Sequence, residues 1–187
     1  VAGPDLLTVK VVDGIATRRS VIVFDNRGAG ASDGTTPTSV EAMAQDAVAF
    51  IQALGAAPVD LLGFSLGGFI AQVIAQEAPH LVRKIILAGT GPAGSTGIDE
   101  VTSVTIRDMA KAALTLRHPE YYLFFTETRN GRDAARDFLA RLNERTDNRD
   151  KPVSIASFIA QLKAVRAWGR RRPADLSRIH HPVLVAN

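Results

Sequence analysis

Apolar positions along the chain change their period several times, and each change marks an element. Ser20-Val21-Ile22-Val23-Phe24-Asp25 is a short run rich in β-branched residues that ends in a glycine-rich loop, the signature of a buried strand. Val40, Met43, Ala47, Val48, Ile51 and Leu54 then recur at helical spacing. Thr38 as N-cap with Glu41 three residues later reads as a capping box, and Gly55 stops the helix. Residues 58–64 (Pro-Val-Asp-Leu-Leu-Gly-Phe) read as a second buried strand, residues 66–78 as a helix closed by Pro79, and residues 82–88 as a third strand. Strand, helix, strand, helix, strand in this order predicts a mostly parallel sheet with right-handed crossovers.

The pattern breaks at the turn-rich stretch 89–97. From about 101 to 170 the spacing is helical and no strand is expected. Phe138, Leu139 and Leu142 mark one apolar face; Ile155, Phe158, Ile159, Leu162 and Val165 mark another, opened near Pro152. Residues 181–186 restore a strand. The predicted division is a core of residues 1–97 and 179–187 with a helical cap at 98–178. Leu6, Leu7, Val9, Val11, Val12 and Ile15 fit either a helix or a strand, and a helix leading into Ser20 is the preferred reading. No internal repeat or low-complexity tract is visible.

At 187 residues, 46% hydrophobic and 22% charged, the composition is that of an ordinary globular chain, which excludes wholesale disorder. No apolar run approaches the ~18 residues of a spanning helix. The chain has no cysteine, so disulfides, thiolate metal sites and cysteine nucleophiles are excluded. Residues 1–5 lack the layout of a signal peptide, a cytoplasmic location is the default expectation, and without an initiator Met the chain is expected to begin inside a longer product. Net charge is +3, spread as −4 over residues 1–128 (9 basic, 13 acidic) and +7 over 129–187 (13 basic, 6 acidic). The basic part interleaves Arg with acids, as in Arg132-Asp133-Ala134-Ala135-Arg136-Asp137, which describes a solvated, ion-paired helix face better than a nucleic-acid surface.

Gly63-Phe64-Ser65-Leu66-Gly67 carries the candidate chemistry. A bare G-x-S-x-G arises by chance in a few per cent of chains this long. Here it falls between a predicted strand and a predicted helix, where a nucleophile elbow belongs. The strained turn lifts the serine hydroxyl clear of the backbone, and flanking glycines let strand and helix approach. The helix start brings the Leu66 N–H and a positive dipole end to a developing oxyanion. The plainer alternative is a Gly-Ser turn that caps a helix.

With Ser65 placed so, the sequence resembles the α/β-hydrolase family. The loop Asp25-Asn26-Arg27-Gly28-Ala29-Gly30-Ala31-Ser32 looks like that family's D-x-R-G-x-G-x-S segment, and the helical insertion looks like its cap. The likeness is to the small, cofactor-free haloperoxidase- and peptidase-like members and covers nearly all the chain beyond the first dozen residues. It implies an α/β fold of α/β-hydrolase type and no cofactor or metal. A dinucleotide site at Gly28, Gly30 and Gly34 is disfavoured, because the spacing is one residue too long and Pro37 precedes the next helix. Asp25 and Arg27 are expected to order the loop rather than to act in catalysis.

The family's Ser, acid, His order places the acid after the strand that follows the cap, with the histidine further on. Here that strand is the last one. His80, His180 and His181 lie at strand starts, on the edge opposite an elbow. His118 reads as a boundary residue between cap helices, and Asp99 lies beyond a flexible loop. Nothing before Ser20 resembles the loop that supplies the second oxyanion donor. The expectation is a serine hydrolase of small acyl substrates, with Ser65 as nucleophile, the Leu66 N–H as oxyanion donor, and acid and base outside this chain. Alone, the 187 residues are expected to be inactive. Two alternatives stand beside it: a non-catalytic binding or regulatory protein of the same fold, and a cofactor-free perhydrolase. No nucleic acid or membrane is expected as partner, and the oligomeric state is open.

Overall fold

Long apolar runs flanked by amphipathic helices can bury both faces of a sheet only if the helices cross over between parallel strands. A computed structural model, which describes residues 9–142 and 153–187, shows this arrangement. Strands β1 (Val59–Phe64), β2 (Val82–Ala88) and β3 (Val183–Ala186) form a parallel sheet in the order β1-β2-β3. Phe64 stands opposite Ala88, and Ala88 opposite Ala186, so the carboxyl ends of all three strands lie along one edge.

The described helices are α1 (Val9–Ala16), α2 (Val40–Leu54), α3 (Leu66–Glu77), α4 (Val101–Thr115), α5 (Glu120–Leu123), α6 (Arg129–Leu142) and α7 (Ile155–Gly169). Helix α3 is apolar on nearly every side and is correspondingly enclosed: Phe69, Ile70, Val73, Ile74 and Ala75 are all buried. It packs against α2, β1 and β2. Met43, Ile51 and Val40 of α2 and Ile85 of β2 complete this centre.

By contact density the chain divides into two units, one of residues 26–101 and 153–187 and the other of residues 2–25 and 102–152. The first holds the sheet, α2, α3 and α7. Its division does not coincide with a cap at 98–178, because Ala164, Val165 and Trp168 of α7 belong to the sheet unit's hydrophobic cluster. The Trp168 ring stacks on Phe69 at 5.2 Å between centroids. In the second unit, α4, α5 and α6 bury Ala112, Tyr121 and Ala135, and Phe138 packs edge-wise on Phe124 and at a tilt on Phe125. Between 101 and 170 the described residues contain helices and no strand, as the spacing predicts.

Three local expectations need correction. Residues 20–25 are not a strand; they carry no regular structure, and Ile22, Val23 and Phe24 are more than a third exposed. β-propensity is a preference that tertiary context overrides, and composition alone does not make this run a strand. The N-cap of α2 is Ser39, whose hydroxyl accepts from the Ala42 N–H at 3.3 Å, not Thr38. Helix α7 is capped by Ser154 and buries Ser157, Ala160, Gln161, Ala164 and Trp168 together with Leu162 and Val165, leaving Ile155 80% exposed. Its inward face is therefore rotated from the one read off the larger apolar residues. Leu6, Leu7 and Pro152 lie outside the described residues. Among those described, no helix is long and apolar enough to cross a membrane.

Candidate active site

Ser65 joins the end of β1 to the start of α3 with φ 50° and ψ −118°, one of two described non-glycine residues with positive φ. Such a conformation costs ~1–3 kcal/mol and persists only where the surroundings dictate it. Two kinds of contact do so here. Sheet hydrogen bonding runs one residue past β1, with the Ser65 N–H donating to Ala88 O at 3.0 Å. The Ser65 carbonyl accepts from the Gly68 N–H at 2.9 Å and from the Thr90 hydroxyl at 2.8 Å. The side chain makes no capping bond to its own helix, so the turn is not explained as a serine cap. Leu66, the first residue of α3, is buried at 4% exposure, and its N–H belongs to the open first turn of the helix.

The space around this turn is set by glycine. A Cβ at Gly63 would lie 2.5 Å from Gly67 O, and one at Gly68 would lie 2.5 Å from Thr90 Cγ2. Gly67 has nothing within 4 Å of its Cβ position. The close approach is thus between Gly63 and the backbone at 67–68, and between Gly68 and Thr90. The segment after β2 is held as firmly. Gly89 N–H donates to Ala186 O at 2.8 Å, and Gly91 O accepts from buried Gln72 Nε2 and from Trp168 Nε1, each at 3.2 Å. Gln72 Nε2 also reaches Gly68 O at 3.1 Å. The sequence carries no local signal that marks Thr90, Gln72 or Trp168. The one available signal was the parallel pairing, which sets the residues after Ala88 beside those after Phe64.

The loop with the D-x-R-G-x-G-x-S likeness is ordered through its arginine and its glycines. Arg27 Nε donates to Asp46 Oδ2 of α2 at 2.9 Å, and Gly28, Gly30 and Gly34 have φ of 72°, 53° and 92°. Thr36 closes the loop, donating to Gly28 O at 3.0 Å and lying 2.6 Å from the Ser157 hydroxyl of α7.

Histidines lie where the sequence order puts them. His80 and His181 belong to the amino ends of β2 and β3, where His181 Nε2 donates to Pro79 O at 3.1 Å. His118, in the second unit, has its Nδ1 against the Glu120 carboxylate. No described histidine hydrogen-bonds Ser65. A cavity of about 480 Å³ lies in the second unit among Lys111, Arg117, Tyr121, Tyr122, Glu127 and Arg132, and Ser65 does not line it. Lys111 and Glu127 pair there; their hydrogen bond raises the Lys111 pKa and lowers that of Glu127. Among the described residues no cluster of three His, Asp or Glu could hold a metal ion.

A parallel sheet with a positive-φ serine between its first strand and a buried helix defines a class, and comparison with known proteins agrees. The family described as alpha/beta hydrolase fold matches residues 7–174. The chain belongs to that family. A solved alpha/beta hydrolase fold protein from Chitinophaga pinensis superposes with a TM-score of 0.87 at 38% identity, covering 98% of this chain and 66% of that one. The human serine hydrolase BPHL is 35% identical over 104 residues, 54% of this chain and 35% of its own. The mouse sn-1-specific diacylglycerol lipase ABHD11 is 35% identical over 80 residues, 43% of this chain and 26% of its own. These matches each span less than two thirds of the relative's length.

Proposed function

We propose that this chain carries the nucleophile half of a serine hydrolase that acts on small acyl, ester-like substrates. The observation that carries the reading is the positive-φ Ser65 at the β1–α3 turn. Two relatives named for serine hydrolysis and for a lipase support the ester class. In this reading the Ser65 hydroxyl oxygen attacks the acyl carbonyl carbon, and the carbonyl oxygen becomes an oxyanion received by the Leu66 N–H. The serine proton passes to a general base and then to the leaving alcohol, giving an acyl-enzyme. Water, activated by the same base, releases the acid and restores Ser65. The base and its orienting acid belong after β3, in the family's Ser, acid, His order.

The test is turnover of p-nitrophenyl esters of several acyl lengths, by the 187-residue chain and by a longer form carrying an acid and a histidine after β3. Each is compared with its Ser65→Ala variant. The 187-residue chain should stay near background, since a positioned base contributes ~10²–10⁴-fold. The longer form should turn over and lose activity with Ser65→Ala. Turnover by the longer form that ignores Ser65→Ala refutes the nucleophile. Absence of turnover by the longer form with every ester, and with peroxide added, favours a non-catalytic protein of this fold.

A further inference from the structure

We infer that Thr90 is a positioning residue that aims the oxyanion donor of Ser65. The inference rests on the reading of Ser65 as nucleophile. The Ser65 carbonyl and the Leu66 N–H belong to one planar trans peptide and point in opposite directions. Whatever fixes the carbonyl therefore fixes the N–H. The carbonyl accepts from the Gly68 N–H within its own helix turn, a bond that moves with the helix. The Thr90 hydroxyl, at 2.8 Å, is the contact from outside α3 that sets the tilt of this peptide.

Thr90 is suited to that task because it cannot drift. Gly89 is bonded to Ala186, and Gly91 O is gripped by both Gln72 and Trp168, so the residue lies between two anchored neighbours. Its methyl fills the space that a Cβ at Gly68 would occupy. The threonine thus presses on the first turn of α3 with its methyl and holds the Ser65 carbonyl with its hydroxyl. The strained backbone at Ser65 is tied once to β2, through its N–H to Ala88, and once to the segment after β2, through its carbonyl to Thr90. Releasing the second tie lets the peptide rotate about Ser65 ψ and carries the Leu66 N–H away from the oxyanion position.

The absence of native cysteine allows a test that needs no catalytic base. Ser65→Cys places a single thiol at the turn, and its pKa is read from the pH dependence of iodoacetamide alkylation. Amides at a helix start lower a thiol pKa from its usual ~8.5. The Ser65→Cys thiol should therefore titrate below that value. Adding Thr90→Val should raise it by about one unit, a tenfold loss of thiolate at the same lower pH, and adding Thr90→Ser should leave it in place. A purely structural threonine lowers the melting temperature without moving the thiol pKa. Should Thr90→Val fail to fold by circular dichroism, Thr90→Ala, which removes the hydroxyl without adding bulk, decides the question. A depressed pKa that neither Thr90→Val nor Thr90→Ala moves overturns the role of Thr90 and leaves the nucleophile reading intact. A Ser65→Cys thiol that titrates as a free cysteine shows that no helix-start amide is aimed at this position and overturns the role of Thr90, while the nucleophile reading is decided by Ser65→Ala in the turnover assay.

Discussion

The two glycines of G-x-S-x-G are equivalent in the motif and unequal in the fold. Gly63 packs onto the Gly67 carbonyl with no room for a Cβ, whereas Gly67 faces open space at a helical position. Gly63→Ala should therefore force the strand and helix apart and cost about 1–3 kcal/mol or more, the range of overpacked sites. Gly67→Ala should be neutral or stabilise by up to ~1 kcal/mol, the helix-propensity difference. Urea denaturation of the two variants checks the contrast, and equal losses would contradict it. Motif spacing made Ser65 and Leu66 legible because a tight turn constrains neighbours in sequence. It could not show that Gly68, one residue past the motif, is the second closely packed glycine, since the atom that demands it belongs to Thr90. Partners 22 to 25 residues away become visible only when the strand register is known.

Elements with their own boundary chemistry were read well, and those that depend on a neighbour were not. β1, α3 and β2 follow their apolar runs within a residue or so, because Gly55, the turn at Ser65 and Pro79 punctuate them. Residues 20–25 have the composition of a strand but carry no regular structure. At the start of α2 both Thr38 and Ser39 can cap, and sequence favours Thr38 through Glu41; the backbone chooses Ser39, with φ −135° and ψ 147°. The consequence is measurable. Ser39→Ala should cost about 1 kcal/mol, as the loss of a capping oxygen does. Thr38→Ala, at an exposed residue before the cap, should change stability by less than ~0.5 kcal/mol. The reverse order in chemical denaturation would restore Thr38 as the cap. Helix α7 departs from its apolar spacing for a related reason. Its inward face is built from Ser157, Gln161 and small alanines whose burial depends on Thr36 and on the Phe69–Trp168 stack, and hydrophobicity alone points to Ile155 and Ile159 instead.

At the scale of the whole chain the sheet is unevenly covered. β1 and β2 meet α2, α3 and α7 within one cluster, whereas every residue of β3 is exposed. Val183, Leu184 and Val185 stand 42%, 60% and 59% exposed, and among the described residues β3 pairs on one side, with β2. Alternation cannot rescue such a strand, since apolar side chains on both of its faces meet water. An open, apolar edge offers unpaired backbone groups beside hydrophobic surface, which is a template for another strand. The 187-residue chain should therefore self-associate as its concentration rises, and Leu184→Lys should suppress this by placing a charge on the edge. Sedimentation velocity over a concentration series, with circular dichroism to confirm that both proteins are folded, is the measurement. A chain that stays monomeric to its solubility limit would mean that β3 is protected by something other than its sheet neighbours. Association that Leu184→Lys leaves untouched would move the sticky surface elsewhere, with Leu114 and Leu116 at the end of α4, 86% and 95% exposed, the next apolar pair to substitute.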